Sequence, residues 1–182
     1  MKKILKGCRN LNRKAQREMV DFLSPFLYAI CRRYSDNQED AKDLLQESLI
    51  SIFNNIDQCQ SNETPIFKGW CRRIAINTAL AKKRKRGFKM EIIRDLEIKQ
   101  ANIPPIHSQL NVEDILAFLK QLPQNQRIVF NLSVIDGYSH REIAQFLNIK
   151  ESSSRTFLSR AREHMQRLIN QEWRLKKNKI GS

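Results

Sequence analysis

Glycine and proline are scarce, with five of each in 182 residues. So few turn formers leave little room for the tight turns of a β-rich fold, and no stretch alternates apolar and polar residues as a half-buried strand would. Long apolar runs are missing too. None approaches the roughly 20 residues a membrane span requires. The opening MKKILKGCRNLNRK lacks the apolar core of a signal peptide. A cytoplasmic protein with no membrane insertion is expected. Cysteine is limited to Cys8, Cys31, Cys59 and Cys71, with no C-x-x-C pair, and the histidines His107, His140 and His164 are scattered. That pattern points to reduced, mostly buried thiols and to no metal or other cofactor.

Acidic residues are also in deficit. Lys and Arg number 33 against 19 Asp and Glu, a formal charge of +14. The excess favours a polyanionic partner, either nucleic acid or an anionic membrane surface.

What is present is helical periodicity. Ala15, Met19, Phe22, Leu23, Phe26, Leu27 and Ile30 form one apolar stripe, in which Pro25 either bends the helix or splits it. Ala41, Leu44, Leu45, Leu49, Ile52, Phe53 and Ile56 form a second, and Phe67, Trp70, Ile74, Thr78 and Ala81 a third. From about residue 87 to 111 the pattern fails, apart from a short helix expected near 92–98. Ile115, Phe118, Leu119 and Leu122 then precede Pro123, and Ile128, Val129, Leu132 and Ile135 precede Asp136-Gly137. The expected fold is all-α: two small helical domains, 1–86 and 112–176, joined by a flexible linker at 87–111 and followed by a tail at 177–182.

Charge is distributed unevenly along the chain. Residues 36–57 carry six acids and one base, whereas residues 64–90 carry nine bases and no acid. The acidic helix repels DNA and faces either a protein or solvent. The basic segment attracts phosphates, with Phe67 and Trp70 available for stacking on bases. Taken alone, Trp70 reads more simply as a core residue and KKRKR as a solvated helix end or a nuclear-type tag.

The stretch YSHREIAQFLNIKESSSRTFLSRARE has the layout of a helix-turn-helix. Ser139 and Glu142 form a capping box, Asn148 suits the left-handed conformation of a tight turn, and Leu158, Ala161, Met165 and Leu168 point inward. Ser152, Arg155, Thr156, Ser159 and Glu163 lie on the opposite side, with Arg160 near the boundary. Small hydroxyls permit close approach to DNA, and an arginine can bond guanine O6 and N7 together. A solvated helix face is the plain alternative. Ser154 falls on the apolar side and weakens the packing.

Two segments, in this order, carry a family resemblance. EDAKDLLQESLISIFNNID followed by FKGWCRRIAINTALAKKRKR resembles region 2 of the bacterial sigma-70 family, and LKQLPQNQRIVFNLSVIDGYSHREIAQFLNIKESSSRTFLSRAR resembles its region 4. The branch is that of the extracytoplasmic-function (ECF, group 4) sigma factors. The resemblance implies a factor that is not an enzyme. It implies binding to the clamp and flap of core RNA polymerase and to promoter DNA, both double- and single-stranded, for promoter recognition, melting and transcription initiation. An anti-sigma factor is expected as a further partner, and a monomer when free.

Residue by residue, the resemblance assigns Asp40, Asp43, Gln46 and Glu47 to the polymerase. Trp70, Arg73, Asn77, Lys82, Lys83, Arg84 and Arg86 are assigned to the minus-10 element and its melting, with Asn77 and the loop at 58–65 forming a pocket for a flipped base. Ser152, Ser153, Arg155, Thr156, Ser159 and Arg160 are assigned to the minus-35 element. The chain departs from the family at Asn148, where Gly is common, and at Ser153-Ser154, where Thr-Val is common. It departs again at Phe157, which either meets a thymine methyl or packs inward. A stand-alone helix-turn-helix regulator would need neither the acidic helix nor the Trp–Asn helix. A nuclease or recombinase would need a carboxylate or histidine metal cluster, or an activated nucleophile, and the acids sit apart from the basic segment.

Overall fold

The computed structural model describes residues 1–59, 61–87 and 111–180, with side chains described as far as residue 173. Most of the linker, the helix expected near 92–98 and the end of the tail lie outside the described residues. The chain divides into two compact units, Met1–Phe88 and Lys89–Ser182.

The first unit holds four helices: α1 (Lys2–Arg9), α2 (Arg13–Tyr34), α3 (Gln38–Asn54) and α4 (Thr64–Lys85), with a 3-10 turn at Ile56–Gln58 after α3. Side chains begin two of them. The Asn12 carboxamide accepts from the Ala15 amide at 3.0 Å and that of Asn37 from the Asp40 amide at 2.7 Å, each satisfying a backbone donor of a first turn. Pro65 begins α4, where its missing N–H has no partner to lose. Met19, Leu23, Leu27 and Ile30 bury one face of α2. Pro25 sits on the exposed side of that helix, which is continuous, so it does not split it.

Residues 1–12 gave no helical signal in the sequence, yet α1 is tightly seated. Leu5 and Cys8 are buried, and a Cβ at Gly7 would lie 2.5 Å from the Ala15 Cβ. Two capping bonds end the helix, Leu11 N–H to the Cys8 carbonyl at 3.0 Å and Asn12 N–H to the Gly7 carbonyl at 2.9 Å. Leu11 closes this turn at φ +56° with its side chain exposed.

Two stripes differ from their expected phase. On α4 the buried apolar residues are Phe67, Cys71, Ala75, Ile76, Ala79 and Leu80. Trp70, Ile74, Thr78 and Ala81 are only half-buried, because that stripe faces a cleft instead of the core. In the second unit, Ile135 was expected inside but is 41% exposed, and its neighbour Val134 is 46% exposed. The cause is local: α6 (Gln124–Phe130) runs into a π-helical turn at Asn131–Ile135, closed by Asp136 N–H on the Asn131 carbonyl at 2.9 Å. One additional residue in the turn rotates the stripe outward.

The second unit also contains α5 (Val112–Gln121), α7 (His140–Leu147) and α8 (Glu151–Ile180). Capping boxes begin α5, through Asn111 and Asp114, and α7, through Ser139 and Glu142. Asn148 adopts φ 54°, ψ 53°, as the break between α7 and α8 requires. Leu119, Ile128, Leu132, Ile143 and Ala161 form the most buried part of the core.

Leu11→Gly should stabilise the first unit by about 1 kcal/mol, since glycine pays no steric penalty in the left-handed region. Gly7→Ala should destabilise it: overpacking costs about 1–3 kcal/mol, against a helix-propensity gain of about 1 kcal/mol. Urea unfolding of both variants measures the two signs.

Candidate nucleic-acid interface

On α4, Trp70, Arg73, Ile74, Asn77, Thr78, Ala81, Lys82 and Lys85 recur at helical spacing. They form one wall of a cleft of about 910 Å³ whose other wall includes Glu47, Ile50 and Ser51 of α3. Gln58 and Trp70 also line a second hollow of about 610 Å³, completed by Cys59, Ser61, Asn62 and Glu63 of the connection between α3 and α4 and by Ile66 of α4. Trp70 therefore stands between the two hollows. Its ring stacks on that of Phe67 at 5.9 Å, and Phe67 is fully buried, so the indole has a fixed floor. The Thr78 hydroxyl is committed to the Ile74 carbonyl at 2.9 Å. Asn77 is exposed in the cleft and its amide makes no hydrogen bond among the described residues. Arg73 is exposed on the same wall.

The sequence reading separated the acidic helix from the basic segment, and the structure corrects this. Glu47 pairs with Lys82 at 2.8 Å, Asp40 with Arg86 at 2.8 Å and Asp36 with Lys83 at 3.7 Å. Helix packing brings α3 alongside α4, so residues far apart in sequence become neighbours. The hydrogen bond from Arg86 is the main reason the Asp40 carboxyl is held below its ordinary pKa. Lys83 is almost wholly buried. Arg84 and Lys85 remain exposed. Of the four residues assigned to the polymerase, Asp40 and Glu47 are turned toward α4's cations, while Asp43 and Gln46 are exposed.

In the second unit, the start of α8 is less open than its composition suggested. Ser153 and Thr156 are 5% and 7% exposed, and the Thr156 hydroxyl donates to the Ser152 carbonyl at 3.0 Å. Phe157 packs inward, which decides between its two alternatives. The outward face is Ser152, Arg155, Ser159 and Arg160, of which Arg155 is the most open, paired with Glu151 one turn before it.

Ser154 is completely buried, and it is not left unsatisfied. Its Oγ lies 2.9 Å from Nδ1 of His140, so a hydrogen bond ties the first turn of α7 to the first turns of α8. Sequence reasoning missed His140 as the partner, because residues 14 apart in a turn-linked helix pair show no periodic signal. A stack of Tyr138 on Phe146, at 6.1 Å, adds a second brace to the same motif. The four cysteines are free and buried, with burial pushing Cys31 up to about 11 and Cys71 up to about 12. Among the described residues no three His, Cys, Asp or Glu side chains come together as a metal site.

The model of sigma-70 region 2 matches residues 19–88 and that of sigma-70 region 4 matches residues 113–165, in that order and together about two thirds of the chain. The chain belongs to the sigma-70 family. This sigma factor is 32% identical over 155 residues to the ECF RNA polymerase sigma factor SigE of Mycolicibacterium smegmatis, covering 82% of this chain and 59% of that one. It is 28% identical over 184 residues to the ECF RNA polymerase sigma factor SigW of Bacillus subtilis, covering 93% and 96%. The branch is therefore the ECF one. Among solved structures, its fold is similar to that of the sigma factor RpoE in complex with the anti-sigma factor NepR from Bartonella quintana. There the TM-score is 0.56, the identity 23%, and the coverage 85% of this chain and 96% of that one. It is also similar to CnrH in complex with the cytosolic domain of CnrY, with TM-score 0.51, 17% identity and coverage of 92% and 95%.

The His140 imidazole gives this sigma factor an acid limit. Burial lowers its pKa, and the charges of Arg155 and Arg162 act in the same direction, with Glu151 opposing. A folded-state value below the free value means the contribution to stability is complete above about pH 6.5 and is lost as pH falls below it. His140→Gln should flatten that part of the stability–pH curve of the second unit. Urea midpoints for both proteins between pH 7 and pH 5 measure the difference.

Proposed function

We propose that this ECF RNA polymerase sigma factor divides promoter recognition, melting and polymerase binding among three separate surfaces. The observation that carries this reading is Trp70, held on Phe67 between two hollows, with the exposed amide of Asn77 in the larger one. A base leaving the duplex stack loses a few kcal/mol of stacking, which an aromatic face and hydrogen-bonding groups can offset. The loop at 58–65 and the amide of Asn77 are the groups proposed to receive such a base from the minus-10 element. Arg73, Arg84 and the exposed end of α4 hold the strand's phosphates. Lys82, Lys83 and Arg86 join them only by exchanging a carboxylate for a phosphate.

The acidic face of α3 is proposed to meet core polymerase at its clamp, with Asp43 and Gln46 open to a partner and Asp40 and Glu47 beside them. Acidic side chains cannot favour DNA but pair readily with cationic groups on a protein. Arg155, Ser152, Ser159 and Arg160 are proposed to read the minus-35 element in the major groove. Ser153 and Thr156, being buried, support the helix from beneath. Region 4 would meet the flap, and an anti-sigma factor would cover these surfaces. The factor itself supplies no reaction chemistry and acts where polymerase is, in the bacterial cytoplasm. A stand-alone regulator has no use for the α3–α4 cleft and is not favoured.

Three variants test the division. Arg155→Ala should weaken binding to the upstream element by about 1–3 kcal/mol, as expected for loss of a bidentate base contact, and leave polymerase affinity unchanged. Asp43→Ala with Glu47→Ala should weaken polymerase affinity. Asn77→Ala should retain assembly and upstream binding and impair open-complex formation. Core affinity, closed-promoter binding and permanganate reactivity of unpaired thymines are read on all three. Failure of every variant in the same single assay would remove the proposed division.

A further inference from the structure

The matched region 2 begins at residue 19, so α1 lies outside it. Its last residue nevertheless reaches Cys59, one of the residues that line the smaller hollow. Nη2 of Arg9 donates to the Cys59 carbonyl at 2.6 Å, and Nε lies 3.7 Å from Oδ1 of Asp57. The guanidinium thus holds two points of one turn, the carboxylate of Asp57 and the backbone two residues later. Gln58 lies between them and lines both hollows.

The loop's other hydrogen bonds among the described residues are local. Gln58 N–H bonds the Asn55 carbonyl at 2.9 Å, Gln58 Nε2 bonds Asn55 Oδ1 at 2.9 Å, and Glu63 N–H bonds Ser61 Oγ at 3.1 Å. Burial of Ile56 and Cys59 seats the turn, but none of these local hydrogen bonds joins it to α1. The bond from Arg9 does, and α1 is a firm base for it: Leu5 and Cys8 are buried and Gly7 lies hard against Ala15. A planar, forked guanidinium suits this task, because a lysine ammonium presents a point charge and cannot span both partners in fixed geometry.

We propose that Arg9 is a positioning residue for the minus-10 pocket, and that α1 sets where Gln58 and Cys59 stand relative to Trp70. The inference rests on the function proposed for the loop at 58–65. Arg9 touches no base itself; it acts through Asp57 and the Cys59 carbonyl.

The test uses the full chain with core polymerase and a promoter carrying each of the four bases in turn at every minus-10 position. Arg9→Ala should speed amide hydrogen exchange at 58–63 by roughly tenfold, the scale of one lost charge-assisted hydrogen bond, with α3 and α4 unchanged. Open-complex yield should fall several-fold, and discrimination among the four bases should narrow at one position. Core affinity and upstream-element binding should stay the same. Arg9→Lys should resemble Arg9→Ala in exchange and selectivity.

Asp57→Ala should give a weaker form of the same effects. Its carboxylate is 85% exposed, so it keeps the test readable should Arg9→Ala unfold the unit. Trp70→Ala separates the two levels of the argument. If Trp70→Ala blocks opening and the Arg9 and Asp57 variants leave exchange and selectivity unchanged, the clamp is refuted and the pocket stands. If Trp70→Ala opens the promoter normally, the pocket reading falls and the clamp with it.

Discussion

A helix that leaves one face open to a cleft needs its other faces held still, and α4 is where the chain meets that requirement. It packs against both α2 and α3. The residues it buries include Cys71, Ala75 and Ala79, small enough for close approach between helices, with Phe67, Ile76 and Leu80 supplying the apolar bulk. Fixing the inner face fixes the outer one by geometry, because side chains three and four residues apart share a face. Trp70, Arg73 and Asn77 are therefore placed on the cleft wall by residues on the opposite, buried side of the helix. The Phe67–Trp70 stack shows this most directly, with one ring in the core and the next on the cleft wall.

Charge is arranged around the same helix. The chain has a large excess of bases, yet α3 keeps an acidic surface beside the most basic part of α4, and three ion pairs join them. Solvent-exposed pairs of this kind add little to stability, so they do not hold the fold together. The Glu47–Lys82 and Asp40–Arg86 pairs therefore cost little to break. Lys83 differs, since it is almost wholly buried, with its ammonium 3.7 Å from the carboxylate of Asp36.

The parts of the fold that repeat were legible in the sequence. The stripe of α2 and the Ser139–Glu142 capping box came from spacing, and the left-handed Asn148 came from residue type. The two-segment family resemblance came from motifs in order. Features that depend on distant residues were not legible. The α4 stripe was found but its phase was not, because periodicity shows that a helix has an apolar side and not which side the neighbours cover. The pairing of α3 with α4 looked like separation, because distance along the chain hides contact in space. Ser154 looked like a packing loss until its partner His140 was seen. Arg9 and α1 gave no signal, since eight residues hold barely two turns.

The π-helical turn at Asn131–Ile135 carries one residue more than an α-helix would need there. Substitutions along α6 alter side chains and leave the number of residues in the turn unchanged. Loss of a single residue would restore α-helical register and turn the side chains that follow by about 100°. The turn is thus a joint whose length, more than its side chains, sets the direction in which the chain leaves for Gly137 and α7.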